Sequence, residues 1–103
     1  MKIIGKKFLI DFGMAKAILE VKNSTSLAFT IIEKNGKETK ETEIVEIKLN
    51  QLRPRLFLLT WKEKNGNTVT QVQDHKNKKA FMNWTQPDGQ FINAEAEIKS
   101  FKG

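Results

Sequence analysis

Apolar and polar residues alternate along most of this chain, a pattern typical of β-strands that bury one face. The clearest example is the last segment, where Ile92, Ala94, Ala96 and Ile98 alternate with polar residues. Side chains two residues apart lie on the same side of a strand, so one face of this segment is buried and the other meets water. No segment has a convincing helical period. The sequence therefore predicts an all-β protein.

The same pattern predicts eight strands joined by short connections. They cover Lys7–Phe12, Ala15–Lys22, Ser26–Glu33, Thr42–Asn50, Arg55–Glu63, Thr68–Asp74, Ala80–Gln86 and Gln90–Phe101. A helix is the competing interpretation for the fourth segment, which is rich in Glu, Lys and Leu, but its period of two favours a strand. A chain of 103 residues has room for one core. We therefore expect a single domain over residues 1–103.

Turn-forming residues separate these segments. The pairs Asn35-Gly36 and Asn65-Gly66 are typical of β-hairpins, and for the second pair we expect a type I′ turn, with positive φ at both residues. Pro87-Asp88-Gly89 predicts a turn with glycine in the left-handed conformation. His75–Lys79 reads as a polar turn, in which a solvent-exposed His75 is the simpler expectation.

Short connections between successive strands favour an antiparallel meander. Closing such a meander into a barrel removes its exposed edges, and eight strands enclose space for side chains or for one small ligand. We therefore predict a small eight-stranded antiparallel up-and-down barrel. A two-sheet sandwich is the main alternative.

Two predicted strands, the third and the fifth, are apolar on both faces. In the third strand Leu27, Phe29 and Ile31 alternate with other apolar residues, and in the fifth Leu56 and Leu58 do the same. Exposed apolar surface commonly marks an interface. A homodimer is therefore one expectation.

Composition limits the possible functions. The formal net charge is +6, which allows a nucleic-acid partner, but the lysines are interspersed with glutamates rather than clustered. The chain has no cysteine, which excludes disulfides and thiol catalysis. Its first ten residues contain too short an apolar run for a signal peptide, and no segment is long and apolar enough to span a bilayer. We expect a cytoplasmic protein with no membrane partner, and consider a nucleic-acid partner unlikely on this pattern.

Several residues are candidates for lining a ligand pocket. Trp61 and Trp84 could stack on a planar molecule, and Thr70 and Asn83 could supply polar groups to an apolar pocket. Core packing and cross-strand pairing explain the same residues. The predicted lining consists of Trp61, Trp84, Phe29, Thr70, Asn83, Ala94 and Ala96. The alanines of the second and last strands either leave room for a ligand or compensate for larger neighbours in a tapering barrel.

Residues able to do chemistry are few. His75 is the only histidine, so a site built from several histidines cannot form within one chain, and we predict no metal site and no cofactor. Asp74 is expected to cap the turn after it. Asp11 and Glu43 are candidate carboxylates for an enzyme.

Specific residues of the chain resemble the MoaF-like family, named after molybdenum cofactor biosynthesis protein F. They are Gly5, Phe8, Trp61, Glu63, Asn65-Gly66, Thr68-Val69-Thr70, Asp74 and Thr85-Gln86-Pro87-Asp88-Gly89-Gln90-Phe91. The resemblance implies a lipocalin-like (calycin) barrel and a small-molecule pocket, with no established reaction. One departure is that the last strand has Ala94 or Ala96 where the family pattern suggests glycine.

Three functions are compatible with the sequence. The first is a module that binds a small apolar or aromatic molecule. The second is a small barrel enzyme such as an isomerase, a cyclase or a lyase. The third is a nucleic-acid binder that uses the basic surface.

Overall fold

Eight antiparallel strands make up the computed structural model, which describes residues 2–102. Met1 and Gly103, the two ends of the predicted 1–103 domain, lie outside the described residues. The strands are β1 (Lys7–Asp11), β2 (Ala15–Asn23), β3 (Ser26–Lys34), β4 (Lys37–Arg53), β5 (Leu56–Lys62), β6 (Thr68–Asp74), β7 (Lys79–Thr85) and β8 (Phe91–Ser100). Within residues 2–102 there is no helix long and apolar enough to cross a membrane.

The strands close into a barrel in which each strand pairs with the next one along the chain. The ring is completed by β1 and β8, whose pairing brings Ile10 opposite Ile98. The predicted antiparallel up-and-down barrel is confirmed, and the sandwich alternative is excluded. A closed ring has no free sheet edge, so every strand is paired on both sides along at least part of its length.

The fourth strand departs most from its prediction. β4 is 17 residues long and starts directly after the Asn35-Gly36 turn, not at Thr42. Its first residues, Lys37–Glu41, are all polar and lack the alternation that identifies a half-buried strand. They are held in extended form by pairing with β3, whereas the second half of β4 pairs with β5. β4 therefore links the two halves of the barrel.

The two Asn-Gly pairs form different turns. At Asn35-Gly36 both residues have positive φ, 53° and 78°, as a type I′ hairpin requires. The type I′ prediction for Asn65-Gly66 is wrong, because only Gly66, at 93°, has positive φ. There the loop is longer: Gly66 N donates to Glu63 O at 2.9 Å, and Glu63 N donates to Asn67 O at 2.7 Å. The connection between β5 and β6 has five residues instead of two, so it does not need a type I′ turn.

Apolar side chains from all eight strands fill the barrel interior. The largest that are almost completely buried include Phe8, Ile10, Leu27, Leu59 and Ile98. Ala17, Ala80 and Ala96 are also buried in this core, which supports the taper interpretation for these small residues.

The two ends of the barrel differ. We call the end with the turns after β1, β3, β5 and β7 the mouth, and the other the plugged end. Ile3, at 1% exposure, closes the plugged end. Its segment is fixed there by two hydrogen bonds to β2: Gly5 N donates to Val21 O at 2.6 Å, and Val21 N donates to Lys6 O at 3.1 Å.

Candidate functional site

A groove opens in the barrel wall where the pairing of β4 with β5 stops. The last paired residues of this ladder are Ile47 and Trp61. Beyond them, toward the mouth, the two strands separate and leave a groove of about 810 Å³, which we call the seam groove. Its lining consists of residues 43–48, 60–64 and 68–70. This volume lies within the range of small-molecule sites, ~300–1,000 Å³.

Trp61 is the main aromatic group of the seam groove. It points inward because it alternates with outward residues on β5, and only 6% of it is exposed. Its ring stacks on Phe29, with the centroids 6.5 Å apart and the planes at 28°. The indole Nε1–H donates to Glu63 Oε2 at 3.3 Å. This hydrogen bond holds the Glu63 carboxylate beside the flat apolar surface of the Trp61 ring.

Two carboxylates stand on opposite sides of the groove. Glu43 on β4 accepts a hydrogen bond from Lys64 N at 2.6 Å, which bridges the gap left by the missing backbone pairing. Glu63 follows directly after β5. Burial raises the pKa of Glu63 above its usual value, hydrogen bonds from Trp61 and Asn67 oppose this, and the charge of Glu43 adds to it. Glu63 is therefore a group that can hold a proton closer to neutral pH than an ordinary glutamate.

The structure brings together only part of the predicted pocket lining. Trp61 and Thr70 line the seam groove, and Phe29 stacks on Trp61 without lining the groove itself. Trp84 lies two strands away on β7 and packs against Phe12, with ring centroids 5.3 Å apart. Ala94 is half-buried opposite Met82 near the mouth. Ala96 is only 4% exposed and belongs to the core.

The predicted polar lining lies on the outer face. Thr70 and Asn83 are opposite each other on β6 and β7, and they alternate with inward residues on both strands. Thr70 is exposed and borders the outer side of the seam groove. The Oδ1 atom of Asn83 is shielded from solvent and has no hydrogen-bond donor among the described residues. Neither residue reaches the interior.

The prediction of an exposed His75 is wrong. Only 8% of this residue is exposed, because the strand alternation that points Gln71 and Gln73 inward continues one step beyond β6. Its ring packs against Phe8 and Phe57, at centroid distances of 4.8 and 5.8 Å. Burial lowers the pKa of His75, and the nearby positive charge of Arg55 lowers it further. The spacing of two between 71, 73 and 75 is the sequence signal that could have placed it.

Gln71, Gln73 and His75 form a hydrogen-bonded row inside the barrel, which we call the polar string. Gln71 Nε2 donates to Met82 Sδ at 3.0 Å, and Gln73 Nε2 donates to Gln71 Oε1 at 2.6 Å. His75 Nε2 is 2.9 Å from Gln73 Oε1. Both glutamines are completely buried. The string satisfies polar groups that would be costly to bury alone.

Two aspartates have structural roles. Asp74 Oδ1 and Oδ2 accept hydrogen bonds from the backbone and the side chain of Asn77, which confirms the predicted turn cap and lowers the pKa of Asp74. Asp11 Oδ1 accepts from Gly13 N at 2.8 Å in the same way. Across residues 2–102, no three His, Cys, Asp or Glu side chains are grouped so that they could hold a metal ion.

A closed eight-stranded barrel with a packed interior and a groove in its wall defines a small calycin-like protein. The chain belongs to the MoaF-like family, whose model matches residues 4–99. The family resemblance seen in the sequence is therefore confirmed, and the match covers all eight strands.

Solved structures support the same fold. The chain is similar to the crystal structure of a "putative beta-lactamase" from Burkholderia vietnamiensis, with a TM-score of 0.86 and 16% sequence identity. The match covers 98% of this chain and 97% of the other. At this identity the likeness shows a shared fold alone. No curated protein sequence matches the chain.

Proposed function

We propose that this protein is a binding module for a small apolar or aromatic molecule, and that the ligand lies in the seam groove against Trp61. The observation that carries the proposal is the groove itself, about 810 Å³, in the wall of a barrel whose core consists of buried apolar side chains. Small-molecule sites typically combine an apolar wall with a few polar groups that fix orientation. Trp61, Glu43 and Glu63 provide this combination.

The ligand is expected to approach from the open side of the wall. Val45, Ile47 and Val69 form the apolar floor beside Trp61, and all three are buried. Glu63 is held next to the indole by its hydrogen bond. A ligand that rests its apolar body on this floor places its polar atoms within reach of the carboxylates.

Native mass spectrometry of the protein as purified from cells is the first test. A bound small molecule adds mass that disappears on denaturation, and this mass provides a compound for titration. Binding is then followed by isothermal titration calorimetry, which does not depend on either tryptophan as a probe, in two variants, Trp61→Phe and Trp84→Phe. Trp84 is a matched control because it lies outside the seam groove.

Trp61→Phe is expected to weaken binding by about tenfold, the usual scale for removing an aromatic anchor. Trp84→Phe should change the dissociation constant by less than about twofold, because Trp84 packs against Phe12 and does not line the groove. Equal losses in the two variants would place the ligand elsewhere in the barrel. A protein that carries no added mass and binds no compound from a cell extract would count against a binding role.

A barrel enzyme is the second candidate, and the environment of Glu63 favours it. General acid–base catalysis works best when the pKa of the group lies near the working pH, and burial moves Glu63 in that direction. A proton-transfer reaction such as an isomerisation fits one such carboxyl group. Incorporation of deuterium from heavy water into the identified ligand, lost in Glu63→Gln, would support catalysis. Unchanged ligand in the wild type would leave binding as the function.

A further inference from the structure

Two outer faces of the barrel carry apolar residues, and they differ in charge. On one, Leu58, Val72 and Phe81 lie side by side on β5, β6 and β7. Phe81 is 41% exposed. The neighbouring row on the same face consists of Thr60, Thr70, Asn83 and Asn93. We call these two rows the β5–β7 face. None of its residues is charged.

The second face lies on β2, β3 and β4. Its apolar residues include Ile18, Ala28 and Ile44, and the last of these is 65% exposed. Charged side chains of both signs lie on this face. Glu20 is in the same row as Ala28 and Ile44, Lys22 pairs with Glu20 at 3.8 Å, and Lys40 lies nearby. A second copy of the chain placed here would have to remove these charges from water.

We propose that the β5–β7 face is the contact surface of a homodimer. The chain carries a net charge of +6, so two copies repel each other wherever their lysines meet. The β5–β7 face reduces this cost because its two rows are uncharged across β5, β6 and β7. Charged side chains lie only around them: Lys48 and Glu95 at the row ends, and Lys62, Asp74 and Lys79 in the adjacent rows. Two copies of the chain can therefore place this face against itself without bringing like charges together.

The hydrogen-bonding groups of this face support the same conclusion. Thr60, Thr70 and Asn93 offer donors and acceptors without formal charge, as polar parts of protein interfaces commonly do. Asn83 Oδ1 lies in the same row and has no donor among residues 2–102. A buried acceptor without a donor is costly, and a partner chain that reorders this row can supply one.

The size of the β5–β7 face determines how stable the dimer is expected to be. Two rows across three strands, spaced ~4.8 Å apart, make a patch well below the ~800 Å² per partner of a standard stable interface. We therefore expect a dimer that dissociates on dilution. Thr60 and Thr70 also line the seam groove, so a partner on this face would border the groove.

Sedimentation velocity of the full chain from about 5 to about 500 µM, the range in which weak dimers dissociate, tests the proposal. Phe81→Glu is compared with Ile44→Glu, which makes the same chemical change on the second face. Phe81→Glu should raise the dimer dissociation constant at least about tenfold, as loss of a central aromatic contact does. Ile44→Glu should leave it within about twofold.

Three results would overturn the proposal. One is a wild-type chain that stays monomeric at the highest concentration, and another is Ile44→Glu weakening the dimer as much as Phe81→Glu. The third is a dimer that weakens as salt rises, because an uncharged contact between two basic chains should strengthen when their repulsion is screened. If Phe81→Glu does not fold, as judged by circular dichroism, Val72→Lys replaces it with the same expected loss.

Discussion

The polar string inside the barrel makes a quantitative prediction about stability. Gln73 is its middle member: it donates to Gln71 at 2.6 Å, and its Oε1 lies 2.9 Å from His75 Nε2. Gln73→Leu therefore leaves two buried groups without partners, Gln71 Oε1 and His75 Nε2. Each such group costs about 1–3 kcal/mol, so the expected loss in the free energy of unfolding is about 2–6 kcal/mol.

Gln71→Leu is the matched control at the end of the string. It leaves only Gln73 Nε2 without a partner, since the Met82 thioether is a weak acceptor that needs no donor. The expected loss is about 1–3 kcal/mol. The triple variant Q71L/Q73L/H75F removes every member of the string and replaces it with apolar groups of similar size. Its stability should return close to that of the wild type.

Urea unfolding followed by tryptophan fluorescence measures these free energies, because both tryptophans pack against neighbouring aromatic rings in the folded chain. The expected order of destabilisation is Gln73→Leu, then Gln71→Leu, then the triple variant. If Gln71→Leu costs as much as Gln73→Leu, the string does not act as a connected row. A triple variant less stable than Gln73→Leu would show that the polar groups contribute net stability themselves.

Three further predictions concern turns, pH and the core. Gly66→Ala should destabilise the chain by about 1–3 kcal/mol, since φ is 93° and a Cβ would lie 2.9 Å from Pro87 Cγ. Pro87→Ala in the same background should recover part of this loss in thermal unfolding. No recovery would mean that the contact between residue 66 and Pro87 is unimportant. Because the pKa of His75 is lowered in the folded chain, the unfolded chain takes up its proton first, so the free energy of unfolding should fall as pH decreases below about 6.5. The raised pKa of Glu63 acts in the opposite sense. His75→Phe, which removes the only histidine, should abolish the fall above about pH 4, the range in which Asp74 does not yet contribute; a fall that persists there would assign it to other groups. Leu59→Ala, at a fully buried position, should cost about 2–5 kcal/mol in urea unfolding, and a cost below this range would mean that the core collapses around the cavity.

The strand pattern was predictable because alternation is a local property of the sequence. All eight strands, the ring order and the left-handed Gly89 follow from residue spacing and turn chemistry. The first half of β4 was missed because Lys37–Glu41 has no alternation. Its extended form depends on pairing with β3, which is not visible in the residues themselves.

The candidate site was predictable only in part. Trp61 and Thr70, both predicted pocket residues, line the seam groove, and Phe29 only stacks on Trp61. The seam groove itself was not predictable, since it exists where a ladder stops, and no residue type marks that point. Glu63 belongs to the residues that carry the family resemblance, but a chemical role for it was not predictable, because burial and the nearby charge of Glu43, which raise its pKa, arise only in the folded barrel. His75 was misplaced because a polar segment of sequence was taken for an exposed one.

Closure of the ring between β1 and β8 has a consequence for synthesis. The pair Ile10 and Ile98 joins residues from opposite ends of the chain, so β1, although made first, cannot gain its second neighbour until β8 has left the ribosome. During that time β1 presents an open edge to other nascent chains. The charged residues Lys7 and Asp11 at its two ends are of the kind that discourages edge-to-edge association. Chains truncated before β8 keep β1 and β7 as open edges, so they should aggregate more readily than the full chain despite these charges.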